Sequence, residues 1–148
     1  MVVKFDIGST AEFSKTISEF DVYQFAGISG DLNPIHINKV AGEASIFKDR
    51  VAHGMLVSSL ISTTIGMKLP GEGTIYLGQN LKFTRPVYIG DTVTAKVEVA
   101  EFIKKDIVKL ITTVTNQDGK TVVEGDAVVK VPVVEEAAST DEAATATK

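Results

Sequence analysis

The sequence contains no cysteine, which excludes a disulfide framework, a thiolate nucleophile and cysteine metal ligands. No run of about 18 apolar residues occurs, so no segment reads as a membrane span. The formal net charge is −4, and it falls unevenly. Residues 134–148 carry Glu135, Glu136, Asp141, Glu142 and Lys148, which leaves the rest of the chain close to neutral. A near-neutral body lacks the basic excess that nucleic-acid phosphates require. The N-terminus shows no charged stretch followed by an apolar one, and Asp6 and Glu12 argue against a transit peptide. The expectation is a cytoplasmic protein with no nucleic acid and no membrane among its partners.

What is present fits a soluble globular domain. The chain has 148 residues, of which 44% are hydrophobic and 23% charged, enough to bury a substantial core. Histidine is scarce: His36 and His53 are the only two. The first lies in the stretch Ser29-Gly30-Asp31-Leu32-Asn33-Pro34-Ile35-His36, which places a carboxylate, an amide and an imidazole within eight residues. Pro34 pushes Asn33 toward extended geometry, Asn-Pro initiates turns, and Gly30 permits a bend before the acid. The stretch therefore reads as a constrained loop rather than helix, on which Asp31 and His36 converge. The plainer alternative makes Asp31 an Asx-turn residue and His36 a structural histidine.

Around that loop the pattern changes sharply along the chain. Residues 11–17 read as a short strand. Ser18-Glu19-Phe20-Asp21 has the form of a capped helix start, with Phe20, Val22, Tyr23, Phe25 and Ala26 apolar and Gly27 and Gly30 ending it. Residues 38–50 are polar and read as irregular. From His53-Gly54 to Met67, apolar residues fall on every face between Ser and Thr, predicting a helix buried all round; Pro70-Gly71 stops it. Beyond Gly73 the chain reads as strands: Thr74–Phe83 interrupted by Gly78, then Val93–Val99, Val108–Val114 and Val123–Val131, with the Asn116–Gly119 turn between the last two. One apolar helix followed by an antiparallel meander predicts an α+β fold, a sheet wrapped around a central buried helix. Residues 1–133 form the expected domain, and 134–148, rich in Ala, Thr and Glu, read as a disordered tail.

Several of these segments share one resemblance. Asp31-Leu32-Asn33-Pro34-Ile35-His36, His53-Gly54-Met55 opening a buried helix, Tyr76-Leu77-Gly78-Gln79, and Phe83-x-x-Pro86-Val87-x-x-Gly90-Asp91 occur in that order. Together they resemble the MaoC-like hot-dog proteins, and most of all their short single-domain R-specific enoyl-CoA hydratases. The similarity runs from about residue 5 to residue 133. It implies a hot-dog fold, a homodimer with sheets joined edge to edge, an acyl-CoA substrate, and reversible syn hydration of a trans-2-enoyl-CoA to the (R)-3-hydroxyacyl-CoA. It further implies that Asp31 and His36 are the catalytic acid and base, that Asn33 matches the asparagine between them, and that the Gly54 N–H forms the oxyanion hole.

The chemistry is consistent with those residue types. Adding water to C3 of an unsaturated thioester builds negative charge on the carbonyl oxygen, which helix N-terminal N–H groups stabilise. A carboxylate and an imidazole sharing one water supply the proton transfers: His36 activates the water and Asp31 orients it and relays the proton, with the formal base open between the two. Asn33, Ser62 and Ile65 are the candidate substrate-binding positions. Asn33 orders the loop rather than reacting, Ser62 faces the thioester carbonyl, and Ile65 walls the acyl pocket and favours short chains. His53, at the helix entry, reads as structural. Asp31, His36 and His53 are possible metal ligands by type, but nothing in their spacing demands a metal, and neither metal nor cofactor is expected. Lys39, Lys48, Arg50, Lys82 and Arg85 are candidates for the CoA phosphates. Competing functions are a hydroxyacyl-carrier-protein dehydratase, a thioesterase, or a non-catalytic acyl-thioester binding protein.

Overall fold

The computed structural model describes residues 4–133; the expected tail at 134–148 lies outside the described residues. Five strands form one antiparallel sheet in the order β1-β3-β4-β5-β2, with β1 Thr10–Thr16, β2 Ile75–Phe83, β3 Thr92–Phe102, β4 Ile107–Thr115 and β5 Thr121–Lys130. Their alternation is the period-2 pattern legible in the sequence. Val93, Ala95, Val97 and Val99 of β3 and Val108, Leu110, Thr112 and Val114 of β4 are buried, while the residues between them face out. Against this apolar face lies the helix α4 (Gly54–Met67), packed chiefly on β3 and touching β1, β4 and β5. Val57, Leu60, Ile61 and Ile65 enter the core from α4. This is the hot-dog arrangement, a sheet curled around one helix.

The helix is not buried on every face, as its composition suggested. Met55 is 58% exposed and Met67 79% exposed, and Ser59 and Ser62 are exposed between them. Spacings of four and three residues align Met55, Ser59 and Ser62 on one stripe, and Met67 is exposed at the C-terminal end of the helix. The sheet of a single chain covers only the opposite side, so the stripe stays open.

Three short helices precede α4, and two of them depart from the sequence reading. Helix α1 (Glu19–Ser29) begins as expected: Ser18 Oγ accepts the Asp21 N–H at 3.1 Å, and Asp21 Oδ2 accepts the Ser18 N–H at 2.9 Å. Gly27 does not end it. The helix runs through Gly27 and stops at Gly30, whose φ of 78° is the left-handed C-cap conformation. Helix α2 (Pro34–Ile37) occupies part of the stretch read as non-helical. Asn33 (φ −53°, ψ 124°) is kept out of the helical region, but it serves as an N-cap, and Pro34 sits at the first helical position, where a missing N–H costs nothing. Helix α3 (Lys39–Ala44) lies in the segment read as irregular. Asn38 caps it by accepting the Ala41 N–H at 3.0 Å, and Gly42 within it obscures any helical signal. An ideal Cβ on Gly42 would lie 2.7 Å from the Arg50 backbone N, so glycine lets α3 press against the segment leading to α4.

Asp21 gives the fold a pH dependence. Partial burial raises its carboxyl, but the Ser18 hydrogen bonds and the Lys15 ammonium at 3.2 Å outweigh that and hold it below the usual aspartate value. A depressed carboxyl contributes stability above its unfolded pKa and loses it as pH falls through the folded one. Ser18→Ala is therefore expected to cost about 1 kcal/mol at neutral pH. The part of this difference that passes through the Asp21 carboxyl should begin to shrink only below about pH 4, the unfolded aspartate value, and vanish as pH falls through the lower folded one; thermal melts at neutral pH and across that acid range check it.

Candidate active site

The elements before α4 bring both histidines to one place. Gly30 turns the chain out of α1, and Ser29 Oγ accepts the Asp31 N–H at 3.1 Å. Asp31 Oδ1 then accepts the Asn33 N–H at 3.2 Å, and Asn33 Oδ1 accepts the Ile35 N–H at 3.4 Å. Two successive Asx contacts thus fix the loop and start α2, which carries His36. Asn33 has the loop-ordering contact expected of it.

His36 is 8% exposed, and its tautomer follows from one contact. Its Nδ1 lies 2.6 Å from the Val51 carbonyl oxygen. A carbonyl only accepts, so Nδ1 carries the proton and Nε2 the lone pair. The same Val51 donates its N–H to the Ile35 carbonyl at 3.2 Å. One residue of the strap before α4 therefore holds both the helix α2 and the ring of His36.

His53, 2% exposed, stacks on His36 with ring centroids 3.8 Å apart and planes 27° from parallel. Its Nε2 lies 2.9 Å from the Asp31 carbonyl oxygen. Asp31, His36 and His53 each place a potential ligand atom within 4.8 Å of the others, the one such trio among the described residues. Each ring already commits one nitrogen to a main-chain carbonyl. What remains is a lone pair on His36 and the exposed Asp31 carboxylate, which lies beside the rings but is not among the residues that line the cavity.

His36 and Gly54 line one cavity of about 440 Å³. Its walls are mostly apolar, with Ile35, Phe47, Val57, Phe83, Val87 and Val123 prominent. Gly54 is the first residue of α4, and the His53 side chain does not cap the helix, so the first-turn N–H groups are free to meet a developing oxyanion. The glycine has a steric cause beyond approach by a ligand. An ideal Cβ there would sit 2.6 Å from Cε1 of Phe83. Gly54→Ala is accordingly expected to push the Phe83 ring into the cavity and lower kcat/KM at least tenfold, with only a small change in Tm; steady-state assays beside thermal melts check it.

Other expected positions fall elsewhere. Ser62 is exposed on the open stripe of α4, and Ile65, 2% exposed, belongs to the hydrophobic core. Neither lines the cavity. Of the cationic candidates, Arg50 is engaged with Glu19 and with the Tyr23 hydroxyl, each at 2.8 Å, and the Glu19 contact holds its guanidinium above the usual value. Lys39 pairs with Glu43, and Lys82 with Glu124. Arg85 lines the cavity and donates to the Thr121 carbonyl at 2.8 Å. The sequence does not reveal the tautomer-setting carbonyl of Val51 or the wall residues Phe47, Val57 and Val123. A main-chain acceptor leaves no trace in side-chain chemistry, and apolar wall residues look like any core.

Residues 4–124 match the family described as MaoC like domain. The chain belongs to this family. Over 84% of its length it is 51% identical to an (R)-specific enoyl-CoA hydratase of Rhodospirillum rubrum, covering 87% of that protein. Among solved structures, R-hydratase PhaJ1 of Pseudomonas aeruginosa, unliganded, superimposes with a TM-score of 0.84 at 46% identity, over 90% of this chain and 88% of that one. The (R)-hydratase of A. caviae involved in PHA biosynthesis gives a TM-score of 0.84 at 42% identity, over 86% and 98%. Within the MaoC-like family, the chain is thus similar over nearly its whole domain to proteins named as R-hydratases.

Proposed function

We propose that the protein is an (R)-specific enoyl-CoA hydratase, a hydro-lyase that reversibly adds water to trans-2-enoyl-CoA to give (R)-3-hydroxyacyl-CoA. The observation that carries the assignment is one cavity bordered by the uncapped N-terminus of α4 at Gly54 and by His36 with its Nε2 lone pair free. The thioester carbonyl oxygen accepts the Gly54 N–H, which strengthens as enolate charge builds there. His36 Nε2 takes a proton from a water molecule held also by the Asp31 carboxylate, and the water oxygen bonds to C3. The enolate then collapses as C2 takes a proton returned from the Asp31–His36 pair. Water and proton come from the same side, so the addition is syn. In reverse, the same groups dehydrate the hydroxyacyl thioester.

The apolar walls suit an acyl chain, and a volume of about 440 Å³ lies at the low end of small-molecule sites, which favours short acyl groups. Ile65→Ala separates wall from core. Its place in the core predicts a loss of about 3 kcal/mol in stability with an unchanged preference for crotonyl-CoA over oct-2-enoyl-CoA; a gain on the longer substrate would instead make Ile65 a wall.

The exposed surface supports a homodimer. β2 pairs on one side only, with β5, and its Ile75 and Leu77 are 56% and 54% exposed. The Met55, Ser59 and Ser62 stripe of α4 and the exposed Met67 are open as well. Large exposed apolar residues on an unpaired edge strand mark a surface for association. Light scattering is expected to give about twice the chain mass of 15.8 kDa.

The decisive experiment is loss of enoyl absorbance on adding the protein to crotonyl-CoA, with chiral analysis of the product. Formation of (R)-3-hydroxybutyryl-CoA supports the reading. A folded protein that leaves the enoyl signal intact overturns it, and release of free thiol would indicate a thioesterase.

A further inference from the structure

His53 is a buried, titratable side chain that the hydration steps do not use, and it touches every part of the machinery that does. It is the N-cap residue of α4, next in sequence to Gly54. Its ring stacks on His36 at 3.8 Å, and Phe25 of α1 packs on it at 4.9 Å with planes 59° apart. Its Nε2 meets the Asp31 carbonyl at 2.9 Å. Because that partner only accepts, Nε2 carries the proton, and Nδ1 is left with the lone pair. Nδ1 is buried and finds no hydrogen-bond partner. A buried nitrogen without solvent contact cannot exchange a proton with substrate. An unmatched acceptor is also a cost that a purely space-filling role would avoid by using an apolar ring.

We propose that His53 is a positioning residue, fixed as the Nε2–H tautomer, which holds the Asp31 main chain and backs the His36 ring so that acid, base and the Gly54 donor keep one geometry. The two histidines are complementary. His36 is locked as Nδ1–H by Val51, leaving Nε2 for water; His53 is locked as Nε2–H by Asp31, leaving only the Nδ1 lone pair, which is buried. The stacked ring gives His36 a flat wall that limits rotation out of line, and aromatic stacking suits an imidazole that gains a proton during the reaction. The hydrogen bond to Asp31 ties the loop carrying the acid directly to the helix carrying the oxyanion donor. Small displacements of such groups cost large factors in rate.

This inference rests on the hydratase reading for its kinetic arm only. Since the chain has two histidines, ¹⁵N–¹H correlation spectra of untagged protein at pH 8.5 resolve both rings, and His53→Gln assigns them. The expected result is one Nδ1–H tautomer, His36, and one Nε2–H tautomer, His53. Gln keeps an N–H donor near the position of Nε2 but loses the stack; His53→Phe keeps the stack but loses the donor. In hydrogen exchange, His53→Phe is expected to accelerate the 29–36 segment while β3 and β4 stay protected as in wild type. With crotonyl-CoA, each variant is expected to lower kcat at least tenfold with KM within about threefold, and His53→Leu, which lacks both features, to fall further than either. Wild-type kcat in all three variants, exchange accelerated everywhere alike, or an Nδ1–H tautomer at His53 would overturn the proposal. An inactive wild type would defeat the hydratase reading instead, leaving the tautomers and the exchange pattern to decide on His53.

Discussion

His36→Ala is expected to lower kcat on crotonyl-CoA by about a thousandfold, and Asp31→Asn by a similar factor, with KM changed only a few-fold. General acid–base catalysis contributes about 10²–10⁴ in rate, and here one group is asked to take the proton that makes water a nucleophile. His36 is the better candidate for that step because the Val51 carbonyl fixes the proton on Nδ1 and leaves Nε2 bare. Asp31→Asn preserves shape, since an amide oxygen still accepts the Asn33 N–H, but it removes the charge that orients the water. If the two groups work on one proton, the double variant should be scarcely worse than either single one, as residues acting as a unit are not additive. Steady-state kinetics on the three variants, with circular dichroism to show that they fold, tests this. Either single variant retaining a tenth of wild-type kcat would remove that residue from the centre.

The second large effect is on stability and comes from a residue far from that chemistry. Gly125→Ala is expected to destabilise the protein by about 3 kcal/mol or more, lowering Tm by roughly 10 °C. In most strands this substitution would help, because glycine weakens a strand through its entropy and its missing side chain. Here an ideal Cβ would lie 1.8 Å from the Asn80 carbonyl oxygen and 2.7 Å from its carbon. Those are backbone atoms of the neighbouring strand, and no rotamer relieves the overlap. Gly125 lies opposite Leu81, and next to it the Asn80 side chain donates to Asp126 at 2.8 Å. Relief requires β2 to lift from β5. As β2 is an edge strand and ends at Phe83, which rests on Gly54, the disturbance should reach the cavity. A melt and a chemical denaturation curve check it; a Tm at or above wild type would mean that the strands part more easily than their geometry implies.

The particular residues show why some of this is legible in the sequence. Strict alternation in Val93–Val99 and Val108–Val114 has one physical solution, a sheet with one buried face, and the apolar α4 is what covers it. The Ser18–Asp21 cap and the Asp118-Gly119 turn are local devices read from a few neighbours. The Asn33-Pro34 pair is ambiguous because the same residues that start a turn also start a helix, and the choice depends on the residues beyond Pro34. The open stripe on α4 is hidden because a single sequence does not say how far a sheet curls around its helix. His53 reads only as structural because its role depends on stacking and on a carbonyl 22 residues earlier in the chain, neither of which spacing can express.

At Val51 a main-chain atom sets the tautomer of a buried histidine. Its carbonyl selects the His36 tautomer, and its N–H anchors the helix on which His36 rides. Every amino acid brings that carbonyl and every one but proline that N–H, so the identity of the side chain at position 51 is free to drift among shapes that fill the same apolar wall. The contact is hard to break by substitution and easy to break by geometry. A one-residue insertion or deletion between Arg50 and His53 would slide the wrong peptide under the imidazole, while many ordinary replacements would pass unnoticed. Tolerance to exchange and intolerance to changes of length are the signature to look for there.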